Sequence, residues 1–214
     1  MRLLDRLRNA FERPGRPAGD PELFASLRAR AYRQLLGSEP LHLLPHDMFQ
    51  KPPFGGRIDV LVYELPYEPK DGQVQVAVTS GMSDYRMVRE DDGTPCRREI
   101  IQYFRECNGS DAARLHDMAW LPIASRFCLD FFETAGPHPS ETWPNSLFLP
   151  SLVNPHAEFA LDLGGDEMKL LWHIPLSQAE LQFKFAHGLD ALVGRMGALE
   201  LPWIFDEHTR VTLV

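Results

Sequence analysis

No stretch of this chain reaches the roughly 18 consecutive apolar residues that a membrane-spanning helix needs, so stable insertion through a helix is not expected. The first residues, from Met1 to Arg16, lack an apolar run of signal-peptide length, and the protein is expected to stay in the cytoplasm. Cysteine is scarce. Cys96, Cys107 and Cys128 are odd in number and form no Cys-x-x-Cys, which reads as buried thiols in a reducing cytosol. No internal repeat is visible, no complete catalytic motif appears, and no motif calls for a cofactor or a metal. What is present is ordinary for a globular protein: 214 residues, 44% hydrophobic and 24% charged, with 18 Pro and 15 Gly scattered between apolar runs as loop punctuation.

Only one end carries a net positive charge. Residues 1–36 carry eight Arg against Asp5, Glu12, Asp20 and Glu22, a net of +4, which leaves a net of −12 for the remaining residues. Such a body repels phosphate backbones and accelerates the encounter with a basic protein, so the expected partner is a protein and not nucleic acid.

The chain divides into an N-terminal helical segment, 1–40, and a domain over 41–214. Leu3, Leu4, Leu7, Ala10 and Phe11 recur at helical spacing with Arg2, Arg6, Arg8 and Arg13 near the opposite face, a short amphipathic helix. Asp20 as N-cap, Pro21 at the first position and Gly37 past the end bracket a second helix. Alternating Ile58, Val60 and Val62, then Val74, Val76 and Val78, predict an antiparallel strand pair, and the run from Arg97 to Phe104 a third strand. A long helix is expected from Ser110 or Asp111 towards Glu133, kinked or split by Pro122. Three further strands fall around Phe148, Ala160 and Leu171. Ser177, with Glu180 completing a capping box, opens a last helix expected to run to Gly197. Strands in groups of three broken by helices predict an α+β fold: a mixed, mostly antiparallel sheet with packed helices.

Several segments invite a chemical reading. Gly164-Gly165-Asp166-Glu167 matches the opening of the diguanylate cyclase signature, but Met168 replaces the aromatic that follows it and no upstream acidic partner is present, so a hairpin turn with solvated acids accounts for it. His42 and His46 stand four apart with Asp47 adjacent, and Pro40 and Pro45 bracket the interval, a loop setting with no third ligand nearby. In Thr79-Ser80-Gly81-Met82-Ser83-Asp84, the run Gly81-Met82-Ser83 lacks the second flanking glycine of a nucleophile elbow. Gly81 is expected at positive φ, with Thr79, Ser80 and Ser83 bonded to the turn's own backbone. Ser83, Asp84, Tyr85 and Arg86 are the candidate partner-binding rim. His187, between Phe183 and Asp190, is read as a packing residue.

The turn at 79–84, the strand from Arg97 and the run His173-Ile174-Pro175-Leu176-Ser177 through His187-Gly188-Leu189-Asp190 together resemble the suppressor-of-fused family, from about Leu41 to Val214. The resemblance makes Thr79, Ser80, Gly81, Met82, His187, Gly188 and Asp190 structural motif residues. It implies an α+β domain without enzymatic activity, like the single-domain bacterial members, which bind proteins and often look like immunity proteins that neutralise a toxin. Alternatives are a regulator that sequesters a transcription factor and, from another class, a nucleotide-cyclase-like enzyme using the Gly-Gly-Asp-Glu hairpin. Residues 136–150 depart from the family's usual pattern.

Overall fold

Apolar residues alternating on both faces of a central sheet determine the architecture. The computed structural model describes residues 19–49, 56–67, 72–89, 92–125, 127–136, 142–151, 160–198, 204–206 and 210. Among these residues nine strands form the sheet: β1 (His42–Leu44), β2 (Asp59–Tyr67), β3 (Gly72–Ser80), β4 (Met87–Val88), β5 (Pro95–Phe104), β6 (Thr134–Ala135), β7 (Asn145–Pro150), β8 (Ala160–Leu163) and β9 (Asp166–Leu176). The order is β1-β2-β3-β5-β9-β7-β6, with β4 added to β5 and β8 to β9. Among the described residues the named strands pair antiparallel except β5 with β9, where Ile100 faces Leu171, and Phe205 adds an isolated parallel bridge to Phe104. The fold is therefore a mixed, mostly antiparallel α+β sheet, as the sequence predicts.

One face of the sheet, with Val60, Val62, Ala77, Ile100, Phe148 and Leu171, packs under α2 (Gly109–Ser125) through Leu115, Met118 and Ala119. The other, with Val74, Val76, Val78, Ile101, Leu170 and Trp172, is covered by α1 (Pro21–Leu36), α3 (Gln178–His187) and α4 (Leu189–Ala198). Each fully buried aliphatic or aromatic side chain contributes about 1.5–3 kcal/mol. Helix α1 starts where expected: Asp20 accepts from the Glu22 and Leu23 amides, and Gly37, at φ 72°, closes the last turn. Phe24, Tyr32 and Leu36 bury it in the common core, so the later part of the N-terminal segment is integral to the domain.

Two expectations need correction. The last helix does not run unbroken to Gly197, because Gly188 adopts φ 89°, ψ 167° and divides it into α3 and α4, with His187 as the final residue of α3. Helix α2 is capped by Asn108, whose Oδ1 accepts from the Ser110 and Asp111 amides, and it stops at Ser125, a turn past Pro122. The amphipathic helix expected over residues 3–11, the loop at 137–140 and the tail beyond 210 lie outside the described residues. Nearer parts of that tail pack as expected, with Ile204 and Phe205 buried and the Phe205 amide bonded to the Tyr103 carbonyl. No helix among the described residues is long and apolar enough to cross a membrane.

Candidate functional site

Strand β3 ends at Ser80 in a turn that only glycine can make. Gly81 sits at φ 131°, and a Cβ there would collide with the carbonyl oxygen of Arg57. The short 3-10 turn Met82–Asp84 follows, and the whole segment wraps around one carboxylate from the neighbouring strand. Glu99, fully buried, accepts at Oε1 from the Gly81 amide (2.9 Å), the Ser83 amide (3.0 Å) and the Ser83 hydroxyl (2.7 Å), and at Oε2 from the Thr79 hydroxyl (2.6 Å). Successive turn amides form a concave anion site, and here the anion belongs to the protein itself. The hydroxyls therefore bond to Glu99 and Arg28 and not mainly to their own turn, a correction to the sequence reading.

Arg28 enters from α1. Its guanidinium pairs with both oxygens of Asp84, donates to Ser83 Oγ (3.0 Å) and Ser80 Oγ (3.1 Å), and lies 3.6 Å from Glu99. Burial alone would lower the Arg28 pKa, but Glu99 and Asp84 outweigh it and hold the group above its ordinary value. Burial pushes the Asp84 carboxyl above the usual range, against the pull of Arg28. Arg97 braces the same turn by donating to the Ser83 carbonyl (2.7 Å) and to Asp166 (3.1 Å). Asp166 also takes Arg86 at 2.9 Å.

The Gly-Gly-Asp-Glu segment is thus a two-residue β-hairpin. Gly164 and Gly165, at φ 67° and 90°, supply the left-handed turn, and Leu163 pairs with Asp166. Its Asp clamps two arginines, while its Glu stands 3.9 Å from Lys169 near the surface. The sequence brings attention to the turn and the hairpin separately, whereas the fold joins them through Arg86 and Arg97.

Of the proposed rim, Ser83, Asp84 and Tyr85 have buried side chains and only Arg86 is exposed, at 49% of its side chain. His42 lies on β1 and His46 in the following 3-10 turn, 3.4 Å from Asp59. Among the described residues no group of three His, Cys, Asp or Glu side chains gathers as a metal ion would require. His187 packs its ring against Phe183 at 4.5 Å between centroids. Asp190 opens α4 with its carboxylate exposed. A second polar cluster escaped sequence reading: Ser146 lies 2.6 Å from His173 Nε2, and His173 Nδ1 lies 2.5 Å from Gln102 Oε1. Its order imitates a serine-hydrolase relay, but all three are sealed beneath α2 at 0–2% exposure, where substrate has no path.

The cysteines are also corrected. Cys96 and Cys128 form a disulfide with a Cα separation of 6.5 Å, within the span such a bond requires. They are 32 residues apart, and only the return of the chain along α2 brings the loop after it back to the start of β5. Cys107 is a free thiol whose pKa burial pushes up to about 12.

Arg28, Glu99 and Arg97 were not singled out as site residues. Arg28 interrupts the buried stripe Phe24, Tyr32, Leu36 at the four-residue interval, and Arg97-Arg98-Glu99 crowd three charges into a strand buried on both faces. A charge in either setting requires a buried counter-charge, and that was the available signal.

These features define an α+β domain whose conspicuous charged motifs are spent on holding its own turns. The chain matches the model of the suppressor of fused protein family (SUFU) over residues 56–208, more than half its length, and belongs to that family. Its structure is similar to a suppressor-of-fused homologue from Neisseria gonorrhoeae (TM-score 0.61, 11% identity, covering 90% of this chain and 98% of the other). It also resembles a chain of the Sufu-Fu complex (0.61, 10%, covering 92% and 93%) and the Drosophila Suppressor of Fused (0.65, 11%, covering 92% of this chain and 54% of that one). No curated protein matches it by sequence.

Proposed function

We propose that the protein is a non-enzymatic binding module that captures a protein partner stoichiometrically, in the role of an immunity protein neutralising a toxin. The observation that carries this reading is where the polar groups go. The acids and hydroxyls that chemistry would need, Asp84, Glu99, Asp166, Ser80 and Ser83, bond to arginines and amides of the same chain. The surface, in contrast, leaves Leu41, Leu43 and Met48 about half exposed or more beside β1, which is an edge strand among the described residues. A relative in this family is found in a Sufu-Fu complex, which supports a protein as the ligand. The acidic body favours a basic one, and an interface of about 1,600 Å² would suffice for tight capture. Of the rim at 83–86, Arg86 is the side chain that such a partner would meet.

Affinity capture from the host at low and moderate salt, followed by mass spectrometry, tests this. A stoichiometric basic partner whose activity is lost at equimolar protein supports the immunity role, a captured transcription regulator replaces it with sequestration, and no partner at either salt refutes both. Cytoplasmic residence is part of the proposal, and the Cys96–Cys128 bond weighs against it. Trapping the thiols in protein taken from the host decides: three free thiols mean a reducing compartment and one an oxidising compartment.

A further inference from the structure

Phe132 is the one non-glycine residue among the described residues held at positive φ, 69°. An aromatic in the left-handed region is strained, and glycine would relieve it. The surroundings hold it there nonetheless: its amide donates to the Phe148 carbonyl at 2.6 Å, the Phe148 amide donates to the Glu133 carbonyl, and Lys184 Nζ donates to the Phe132 carbonyl at 2.8 Å. The ring gains little burial in return, since the residue is 54% exposed. Beside it lies a groove of about 560 Å³ lined by Leu149, Pro150, Trp172, Leu189, Val193 and the backbone of Gly194, in the size range of ligand sites. The charged member of that lining is Asp190, exposed and without an ion pair among the described residues.

We infer that this groove is a docking site for a basic protein segment, one that inserts a large apolar side chain against Phe132, Leu189 and Val193 and places a Lys or Arg on Asp190. The inference rests on the binding-module reading and names the surface and chemistry of its partner. Charge selects the occupant: the groove carries one carboxylate within a body of net −12 over residues 37–214. The ring and the apolar floor provide the desolvated anchor that dominates such interfaces.

The test uses the full chain, isotopically labelled, titrated with two synthetic peptides that share a Gly-Ser-Leu-Phe core and end in either Arg-Lys or Glu-Asp. The basic peptide is expected to shift the amide resonances of Leu189, Val193 and Gly194, and the acidic one to leave them in place. Phe132→Gly, which keeps the backbone geometry and therefore the fold, is expected to weaken the basic peptide by about tenfold or more. Asp190→Lys should remove the preference between the two. Absence of shifts with the basic peptide at millimolar concentration overturns the site, as does binding that Phe132→Gly leaves intact. Equal response to both peptides overturns its charge selectivity. Concentration-dependent dimerisation abolished by Phe132→Gly would assign the groove to a second copy instead. If host capture returns a partner that Phe132→Gly still binds, the groove fails while the binding-module reading stands. If the basic peptide binds the groove but capture returns nothing, the groove stands and that reading fails.

Discussion

Replacing Arg28 with Met keeps most of the aliphatic bulk that crosses the core and removes the charge facing Asp84 and Glu99. Both carboxylates stay buried, Glu99 at 0% and Asp84 at 6% exposure. Glu99 retains its four donors, but Asp84 loses its bidentate partner. Breaking a buried pair from one side costs about 3–5 kcal/mol, against total stabilities of about 5–15 kcal/mol for folded domains. For a chain of this size that corresponds to a fall in Tm of about 6–20 °C. The cost also depends on pH, and the sign follows from burial. Burial already raises the folded-state pKa of Asp84 above its ordinary value, so folding disfavours its ionised form; removing Arg28 takes away a lowering influence and raises that pKa further. The penalty of Arg28→Met is therefore greatest near neutrality, and it shrinks as pH falls through the folded-state pKa and the carboxyl takes up a proton. Urea unfolding of both proteins, followed by tryptophan fluorescence at about pH 7 and about pH 4.5, measures it. A loss below about 1 kcal/mol at pH 7, or one that does not shrink in acid, would refute the view that Arg28 neutralises buried carboxylates.

Asp166→Ala should cost about 2–3 kcal/mol because Arg97, 4% exposed, loses a carboxylate, whereas Glu167→Ala should stay within about 0.5 kcal/mol; thermal melts separate the two, and equal effects would contradict the clamp. Gly81→Ala should cost at least about 2 kcal/mol, from positive φ and the collision with Arg57, while Gly188→Ala, at φ 89° with open space around it, should cost about 1 kcal/mol in the same melts. Thiol titration of air-purified protein should find Cys107 nearly unreactive when folded, because burial disfavours its thiolate, one reactive thiol on unfolding and three after reduction.

What sequence made legible was periodicity and punctuation. The alternation of Val74, Val76 and Val78 located β3, and Asp20-Pro21 with Gly37 placed α1 to the residue. Short edge elements were missed: β1, β4 and β6 have two or three residues each, too few for any period to register. The break at Gly188 was hidden because the apolar stripe continues across it, from Phe183 to Leu189 and Leu192. The disulfide and the clasp around Glu99 were invisible for a different reason. Each depends on contacts between residues far apart in sequence, and local pattern carries no information about which distant charge or sulfur will arrive. Arg28 and Glu99 are 71 positions apart, so the pattern around each signals that a buried counter-charge is needed without saying which one arrives.

That distance has a consequence for where the domain begins. The family match covers residues 56–208, yet Arg28, which neutralises the turn at its centre, lies outside those bounds, together with the rest of α1 and the edge strand β1. A fragment starting at Gly56 would leave Asp84 buried without its guanidinium, at about 3–5 kcal/mol. It would also uncover the sheet face now under Phe24, Tyr32 and Leu36, three large side chains whose burial is worth about 5–9 kcal/mol in total, an upper estimate. Together these losses, about 8–14 kcal/mol, are comparable to the whole stability of a typical domain, about 5–15 kcal/mol. Residues 56–214 alone are therefore expected to lack a cooperative unfolding transition, and adding back residues 19–55 should restore one. Circular dichroism across a urea gradient distinguishes the outcomes. A fragment from Gly56 that melts cooperatively within about 2 kcal/mol of the full chain would mean that α1 is an attachment and that the turn around Glu99 carries its buried charge unaided.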